Sequence, residues 1–340
     1  MEPVSGDRPA RRTVSTDVAR LAGVSHKTVS RVMNAEAHVR PELRERVLRA
    51  ARDLGYRPNA AARSLVSGRT RRLGVVTLGA RLHGPTSQLI AAETTARALG
   101  YATTVAHTTA DDHDVAGSVE WLLGQGVDGL VLTEDLDEGS LALRVDVPVL
   151  AMGRFPGLDA PHRVAAAEGA ERFGRVATRH LIDLGHTEIR HLAGPPRWWA
   201  SRDRAAGWRA ALAEAGLVPV PPLAGDWSCE SGYVAGRRLA ADTEMTAVFV
   251  ANDDMAIGLV RALELAGRRV PHDVSVVGMD DIPAARFLNP SLTTIAQDFD
   301  EVVADGIRKL VREIKSPGTA QHRLLDVDPR LVVRESTAPR

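Results

Sequence analysis

From Leu73 onward the chain repeats one pattern, an apolar run of about six residues followed by a longer stretch with helical spacing. "LGVVTLG", "ATTVAHT", "GLVLT" and "VPVLAM" form one set of runs; "EIRHLAG", "AVFVAN" and "VSVVGMDD" form a second. Helical candidates lie between them at 85–99, 112–125, 170–184, 201–215 and 253–266. A strand that is apolar on both sides needs cover on both sides, and strand–helix–strand crossovers provide it, so the pattern demands α/β architecture with parallel, doubly wound sheets. Two sets in series demand two lobes. At 340 residues the chain also exceeds what one core serves.

The first seventy residues differ in kind. Residues 1–72 hold 16 Lys and Arg against 7 Asp and Glu, and the remainder 27 against 36, so a net charge of zero conceals +9 on the head and −9 on the body. A basic head on an acidic body points one end at a polyanion. Ser15 precedes "TDVARLAG", in which Val18, Leu21 and Ala22 share a helical face, Asp17 sits in the first turn and Gly23 stops the helix. Ser25 caps a second short helix, "HKTVSRVMN". Val29, Val32 and Met33 fall on its apolar side and Lys27, Ser30, Arg31 and Asn34 on the other. A third helix starts at Pro41, with Leu43, Val47, Ala51 and Leu54 as its stripe, and Tyr56 closes the small core. The tight "AGVS" joint makes the pair a helix-turn-helix, whose second helix enters the major groove. His26, Lys27 and Arg31 then present donors to base edges, and Ser30 and Asn34 reach phosphates. A small helical module with a solvated face fits the same spacing.

Next comes "YRPNAAARSLVSGRTRR", where Pro58 breaks the chain and Asn59 caps a helix of about two turns, too short to persist alone. Ala61 and Ala62 are small enough for two such helices to pack closely, and Leu65 suits a minor-groove wedge. An ordinary Arg-rich linker reads the same way.

"DVARLAGVSHKTVSRVMN", "RPELRERVLRAARDLGYRPNAAARSL" and "RRLGVV" resemble the DNA-binding head and hinge of the lac repressor/galactose repressor family, over nearly the whole chain from Thr13 to about Ser336. The resemblance implies a tail at 1–12, a helix-turn-helix head at 13–57 and a hinge helix with linker at 58–70. It implies a two-lobed, periplasmic-binding-protein-like core at 71–336. One lobe is 71–167 plus 297–325, the other 168–296 plus 326–336, with a tail at 337–340. The DNA-contacting set it implies is Ser15, Thr16, Ser25, His26, Lys27, Thr28, Ser30, Arg31, Asn34, Asn59, Ala62 and Leu65, with Leu65 inserted at the centre of a pseudo-palindromic operator.

Open α/β sheets bind ligands at the carboxyl ends of their strands. Asn252 follows "VFVA", Asp280 follows "VVGM", Arg204 lies in the helix after "HLAG", Trp227 in "GDWS", and Gln297 and Phe299 in "TTIAQDF". Polar groups beside an indole suit a sugar, whose hydroxyls they pair while the ring covers a C–H face. Asp280 and Asp281 also read as helix caps, and Trp227 as core. The pocket motifs fall closest to the lac branch of the family, which implies an effector site of Leu82, Pro85, Thr133, Arg204, Trp227, Asn252, Asp280, Gln297 and Phe299 between the lobes. Gly153 stands where that pattern has an acidic residue, Thr133 where it has an amide, and "AAAEGA" replaces an Asp-containing stretch. Trp198 and Trp199 add two indoles near the cleft.

The expected function is a sequence-specific repressor whose operator affinity a small sugar, such as a galactoside or other glycoside, controls; a purine-type corepressor is the alternative. A sugar-binding protein serving a transporter would need export, and no signal-like run or membrane-length stretch is seen, which places the protein in the cytoplasm without a membrane partner. A glycosidase using Asp253, Asp254, Asp280 or Asp281 is the third class, but no phosphate loop, nucleophile elbow or His-Glu-x-x-His is present, and no enzyme activity is expected. Cys229 is the single cysteine, which excludes an internal disulfide and a thiolate zinc cluster, so neither metal nor cofactor is expected. No leucine heptads close the sequence at Arg340, and a homodimer is expected.

Overall fold

The computed structural model describes residues 13–33, 38–57, 64, 68–78, 82–108, 114–133, 142–160, 162–165, 170–318 and 328–340. It divides into two compact units, Met1–Thr70 and Arg71–Arg340. Asn34, Asn59, Ala62 and Leu65, and with them the expected hinge helix, lie outside the described residues.

The first unit contains α1 (Ser15–Ala22), α2 (His26–Met33) and α3 (Pro41–Asp53). Val18, Ala19, Ala22, Val29, Val32, Val47, Ala50 and Ala51 make its core, with Met33, Leu54 and Tyr56 at the margin. Gly23 ends α1 at φ 60°, ψ 40°, the left-handed conformation that lets the chain turn at once into α2. Val14 is the N-cap of α1, and its N–H donates to the Asp17 carboxylate at 3.1 Å. One local reading needs correction. Leu21 is 55% exposed, since α1 turns Val18, Ala19 and Ala22 inward and leaves position 21 outside that stripe.

The second unit opens with β1 (Arg72–Leu78), α4 (His83–Ala98), β2 (Ala102–Thr108), α5 (Val115–Gly124), β3 (Gly129–Leu132), β4 (Leu143–Arg144), β5 (Val149–Ala151), β6 (Leu158–Asp159) and β7 (Arg163–Ala165). The sheet order is β2-β1-β3-β5-β7, parallel throughout, with β4 and β6 as a separate ribbon. Alternation along the strands divides the core. Leu73, Val75 and Val131 pack with Ala92 and Ala96 of α4, whereas Val76, Leu130 and Leu132 pack with Val119 and Leu122 of α5.

The second lobe follows with α6 (Ala170–Asp183), β8 (Ile189–Ala193), α7 (Trp199–Glu214), β9 (Leu223–Ala224), α8 (Cys229–Leu239), β10 (Ala247–Val250), α9 (Asp253–Leu265), β11 (Ser275–Asp280), a 3-10 turn (Ala285–Phe287) and β12 (Thr293–Ala296). The chain then crosses back as α10 (Phe299–Lys315), whose Val303, Ile307 and Leu310 join the core of the first lobe, and returns as β13 (Arg330–Val332). This sheet runs β13-β12-β11-β10-β8-β9, parallel except for the β12–β13 pair. Leu192, Val248, Val250 and Val276 pack under α8 and α9; Ile189, Phe249, Val277 and Met279 pack under α6 and α7. The expected tail at 337–340 is part of this lobe: Ala338 N–H donates to Ser275 Oγ at 3.1 Å and Arg340 N–H to the Leu184 carbonyl at 2.9 Å.

Candidate functional site

On the head, α2 turns its Val29 and Val32 into the core and leaves Ser25, His26, Lys27, Ser30 and Arg31 exposed, with Thr28 half-buried. Ser25 Oγ accepts the Thr28 N–H at 3.2 Å and meets Thr28 Oγ1 at 3.0 Å, so the two residues define the helix start. The Ser15 hydroxyl meets His26 Nε2 at 2.8 Å, joining the N-terminal ends of α1 and α2, and Thr16 is exposed. A cationic, donor-rich helix face beside a second helix's N-terminus is suited to a groove lined by phosphates.

In the second unit, strand order reverses between β1 and β3 and between β8 and β10, the places where loops at the carboxyl edge diverge and leave a crevice. Leu82 and Pro85 follow β1 and Thr133 follows β3; Asn252 follows β10, Asp280 ends β11 and Gln297 follows β12. Leu82, from the first lobe, packs against the apolar cluster of the second, so the two edges face each other.

The polar centre is Asp280. Gln297 Nε2 donates to its Oδ1 at 2.8 Å, and Arg204 Nη2 lies 3.7 Å from the same oxygen. Burial raises the Asp280 carboxyl above the ordinary carboxylate range, against the pull of Arg204, His83 and the Gln297 amide, while Asp254 pushes it further up. Asp280 and Asp281 have φ of 111° and 54°, so neither caps a helix; Asp281 instead pairs with Arg334 at 2.5 Å. Arg204 is placed by α7, which is anchored one turn on by Trp208 stacked on His191, and that ring in turn on Phe249. Its Nη1 donates to the Ala251 carbonyl at 2.5 Å and its guanidinium lies 5.5 Å from the centre of the Trp227 ring.

Trp227 is held in place by several contacts. Its φ is 75°, its carbonyl accepts from Asn252 Nδ2 at 2.9 Å, and its ring occupies the space that a Cβ at Gly194 would take. Its indole Nε1–H, buried, has no hydrogen-bond partner among the described residues. An over-determined ring in a sparsely populated backbone conformation, with a donor left over, is what a preformed binding wall requires. Asn252 is also the N-cap of α9, its Oδ1 accepting the Met255 N–H at 3.0 Å. Trp198 meets Trp227 edge-on, at 5.7 Å and 81°. Trp199 does not join them: its ring lies between Arg154 and Arg202, 5.1 and 4.8 Å from their guanidinium carbons.

The first lobe contributes less polarity. Phe299 opens α10 and meets His83 edge-on at 6.4 Å, Pro85 sits in the first turn of α4, and the Thr133 hydroxyl donates to the Val76 carbonyl at 3.3 Å. Sequence reasoning missed His83 and Asp254 as members of the polar set. His83 adjoins Leu82 in "LHGPTS", and Asp254 lies two residues past Asn252; that neighbourhood was the available signal. Asp254 is half-buried, raised by that burial, and lies 3.9 Å from Cys229 Sγ. Among the described residues, no group of three or more His, Cys, Asp or Glu side chains is arranged to hold a metal ion, and no helix is long and apolar enough to cross a membrane.

Asp253 is fully buried beneath the site. Its Oδ1 accepts from Thr294 Oγ1 at 2.7 Å and its Oδ2 from the Ile282 N–H at 3.0 Å, tying α9 to the ends of β11 and β12. Burial, with Asp280 nearby, pushes its pKa up to about 8. The unfolded chain loses this proton near pH ~3.9, so the stability it confers is full below that value and declines as pH rises through 8. Asp253→Asn keeps the volume and one of the two acceptors and removes the charge. We expect it to melt below the wild type at pH 5, where the amide nitrogen cannot accept the Ile282 N–H, and to gain on the wild type as pH rises from 5 to 9; parallel melting profiles of the two proteins across this range would refute the assignment.

Comparison with known proteins gives a consistent result. Residues 16–59 match the profile described as "Bacterial regulatory proteins, lacI family", and residues 178–337 match "Periplasmic binding protein-like domain". The chain is 34% identical over 327 residues to the lactose operon repressor of Escherichia coli (strain K12), covering 94% of this chain and 89% of that protein. It is equally 34% identical, over 94% of this chain and 97% of the other, to the HTH-type transcriptional repressor PurR of Photobacterium profundum. Among solved structures, the lac repressor dimer bound to operator and the anti-inducer ONPF superposes with a TM-score of 0.79 at 31% identity, over 96% of this chain and all of that one.

Proposed function

Because this chain belongs to the lacI family of bacterial regulatory proteins and is a DNA-binding transcriptional repressor rather than an enzyme, we propose that a small sugar held between its two lobes controls its grip on a pseudo-palindromic operator. The observation that carries the sugar reading is the Asp280 carboxylate, held by Gln297 and Arg204 near an indole whose N–H is left over for a ligand. A carboxylate, a guanidinium and an amide pair vicinal hydroxyls, and Trp227 covers a C–H face. The protein works as a homodimer in the cytoplasm. Phe287, 81% exposed on the 3-10 turn, and Ile90, 59% exposed on α4, are apolar surface that a second copy would cover, and the ONPF-bound relative is itself a dimer on operator.

The mechanism is population shift. Sugar in the cleft favours one placement of the lobes, and the linkers leaving them either can or cannot bring two heads to one operator. Conversion from mostly bound to mostly free needs roughly 10⁴-fold preference of the sugar for one state, about 5.5 kcal/mol, a figure that two sites per dimer make easier to reach. Resemblance to the lac branch favours release by the sugar.

The test is a gel shift with the DNA upstream of the protein's own gene, repeated with a panel of galactosides, glucosides and purines. Release by a glycoside supports the reading, tighter binding with a purine replaces it with the corepressor alternative, and failure of every fragment to shift removes the DNA role. Within the head, Arg31→Ala is expected to weaken specific binding by about 1–3 kcal/mol and to relax selectivity at one base pair. Unchanged selectivity in a competition assay would count against base reading by Arg31.

A further inference from the structure

The two lobes meet at a polar contact that lies outside the sugar-facing set. Arg154 follows β5 of the first lobe, and Asp203 lies in the first turns of α7 in the second; Arg154 Nη2 stands 2.9 Å from Asp203 Oδ2. The Asp203 side chain is 15% exposed and that of Arg154 40%. The same Arg154 guanidinium lies 5.1 Å from the centre of the Trp199 ring, and Arg202, whose Nε donates to the Pro196 carbonyl at 2.6 Å, covers that ring at 4.8 Å. Arg154 therefore meets a carboxylate and an aromatic face contributed by one short stretch of α7.

That stretch is shared with the cleft. Asp203 precedes Arg204, which approaches Asp280, and Trp199 follows Trp198, which meets Trp227. Positions 199, 202 and 203 lie along the start of one helix, so a shift of the first lobe that drags Asp203 turns the helix on which Arg204 is mounted. We propose that Arg154 and Asp203 are positioning residues that hold the lobes in one relative placement, with Trp199 as the plate on which Arg154 rests. The clasp sets both how well the lobes are preorganised for operator binding and how much work the sugar must do to move them. This inference rests on the repressor reading above and specifies how the same site is regulated.

Lobes freed of the clasp sample more placements, and only the competent fraction binds DNA, so apparent operator affinity falls by that fraction. The experiment uses the full chain as wild type, Arg154→Ala, Asp203→Asn, the double variant, and the exchange Arg154→Asp with Asp203→Arg. Affinity for the upstream DNA fragment is measured by fluorescence anisotropy without added sugar, and lobe separation by small-angle scattering without DNA. Each single variant is expected to bind roughly 3- to 10-fold more weakly and to show a larger radius of gyration. The double variant should be no weaker than the worse single, and the exchange, which restores the ion pair but not the Arg154–Trp199 contact, should recover part of the affinity. A purely local structural role would not be rescued by exchanging the charges. Singles that scatter and bind as the wild type does, effects that multiply in the double, or an exchange no better than the singles would each overturn the clasp. Absence of specific DNA binding by the wild type would instead overturn the repressor reading, and scattering alone would still decide whether the clasp holds the lobes.

Discussion

Gly258→Ala is expected to destabilise the second unit by more than about 3 kcal/mol, far beyond the usual effect of adding one methyl group. The helices α8 and α9 cross with their backbones in contact. A Cβ on Gly258 would lie 1.9 Å from the Cys229 carbonyl oxygen and 2.5 Å from the Tyr233 nitrogen; one on Gly232 would lie 2.1 Å from the Met255 oxygen. Those neighbours are main-chain atoms inside helices, so no rotamer change relieves the clash and one helix has to move. The displacement would reach the site, because α8 starts after Ser228, next to Trp227, and α9 is capped by Asn252. The control is Gly267→Ala, where φ is 78° with open space around the Cβ, so that only backbone strain of about 1 kcal/mol is at stake. Urea unfolding of both variants, read at equal m-values, ranks the two; a Gly258 variant no worse than the Gly267 variant would mean that the crossing relaxes easily and does not fix the site.

The sequence exposes some of this architecture and conceals the rest for identifiable reasons. Runs such as "GLVL" and "AVFV" are buried on both faces, and their strands appear where the runs are, as β3 and β10. The helices at Cys229–Leu239 and Phe299–Lys315 are absent from the expected set. The first follows a strand of only two residues, and the second begins inside a segment that reads as a crossing between lobes. Leu21 shows the limit of helical-wheel reasoning: on an eight-residue helix the angular width of the buried stripe depends on where α3 lies, which spacing alone does not specify. The residues around the cleft were legible by type, because carboxylate, amide, guanidinium and indole fall at strand ends. Their division of labour was not. Asn252 is occupied as a helix cap, Thr133 as a partner of Val76, and Trp199 by two arginines. Arg154 and Asp203, 49 residues apart in the chain, carry no shared local pattern and meet only because the two sheets face each other.

Asp280→Ala is expected to abolish the sugar response while leaving operator binding without sugar within a few-fold of the wild type. Asp280 offers two carboxylate oxygens, of which Oδ1 accepts from Gln297 and lies 3.7 Å from Arg204, so a sugar hydroxyl would be received by a site already oriented on two sides. Each charge-assisted hydrogen bond lost in a buried setting is worth about 1.5–3 kcal/mol, and two of them lower sugar affinity by roughly 10²- to 10⁴-fold. Removing the carboxylate also takes a counter-charge away from the buried Arg204, so some loss of stability accompanies the Ala variant. Asp280→Asn separates the two effects, because it keeps the side-chain volume and an acceptor for Gln297 but lacks the negative charge. The measurement is operator release against sugar concentration for the three proteins, using the glycoside that releases the wild type, with thermal melting in parallel. Loss of response in both variants with DNA binding retained places Asp280 in the ligand site. Release at the wild-type concentration would assign Asp280 to the architecture of β11 and β12 instead, and the sugar would then have to be held by groups that leave this carboxylate untouched.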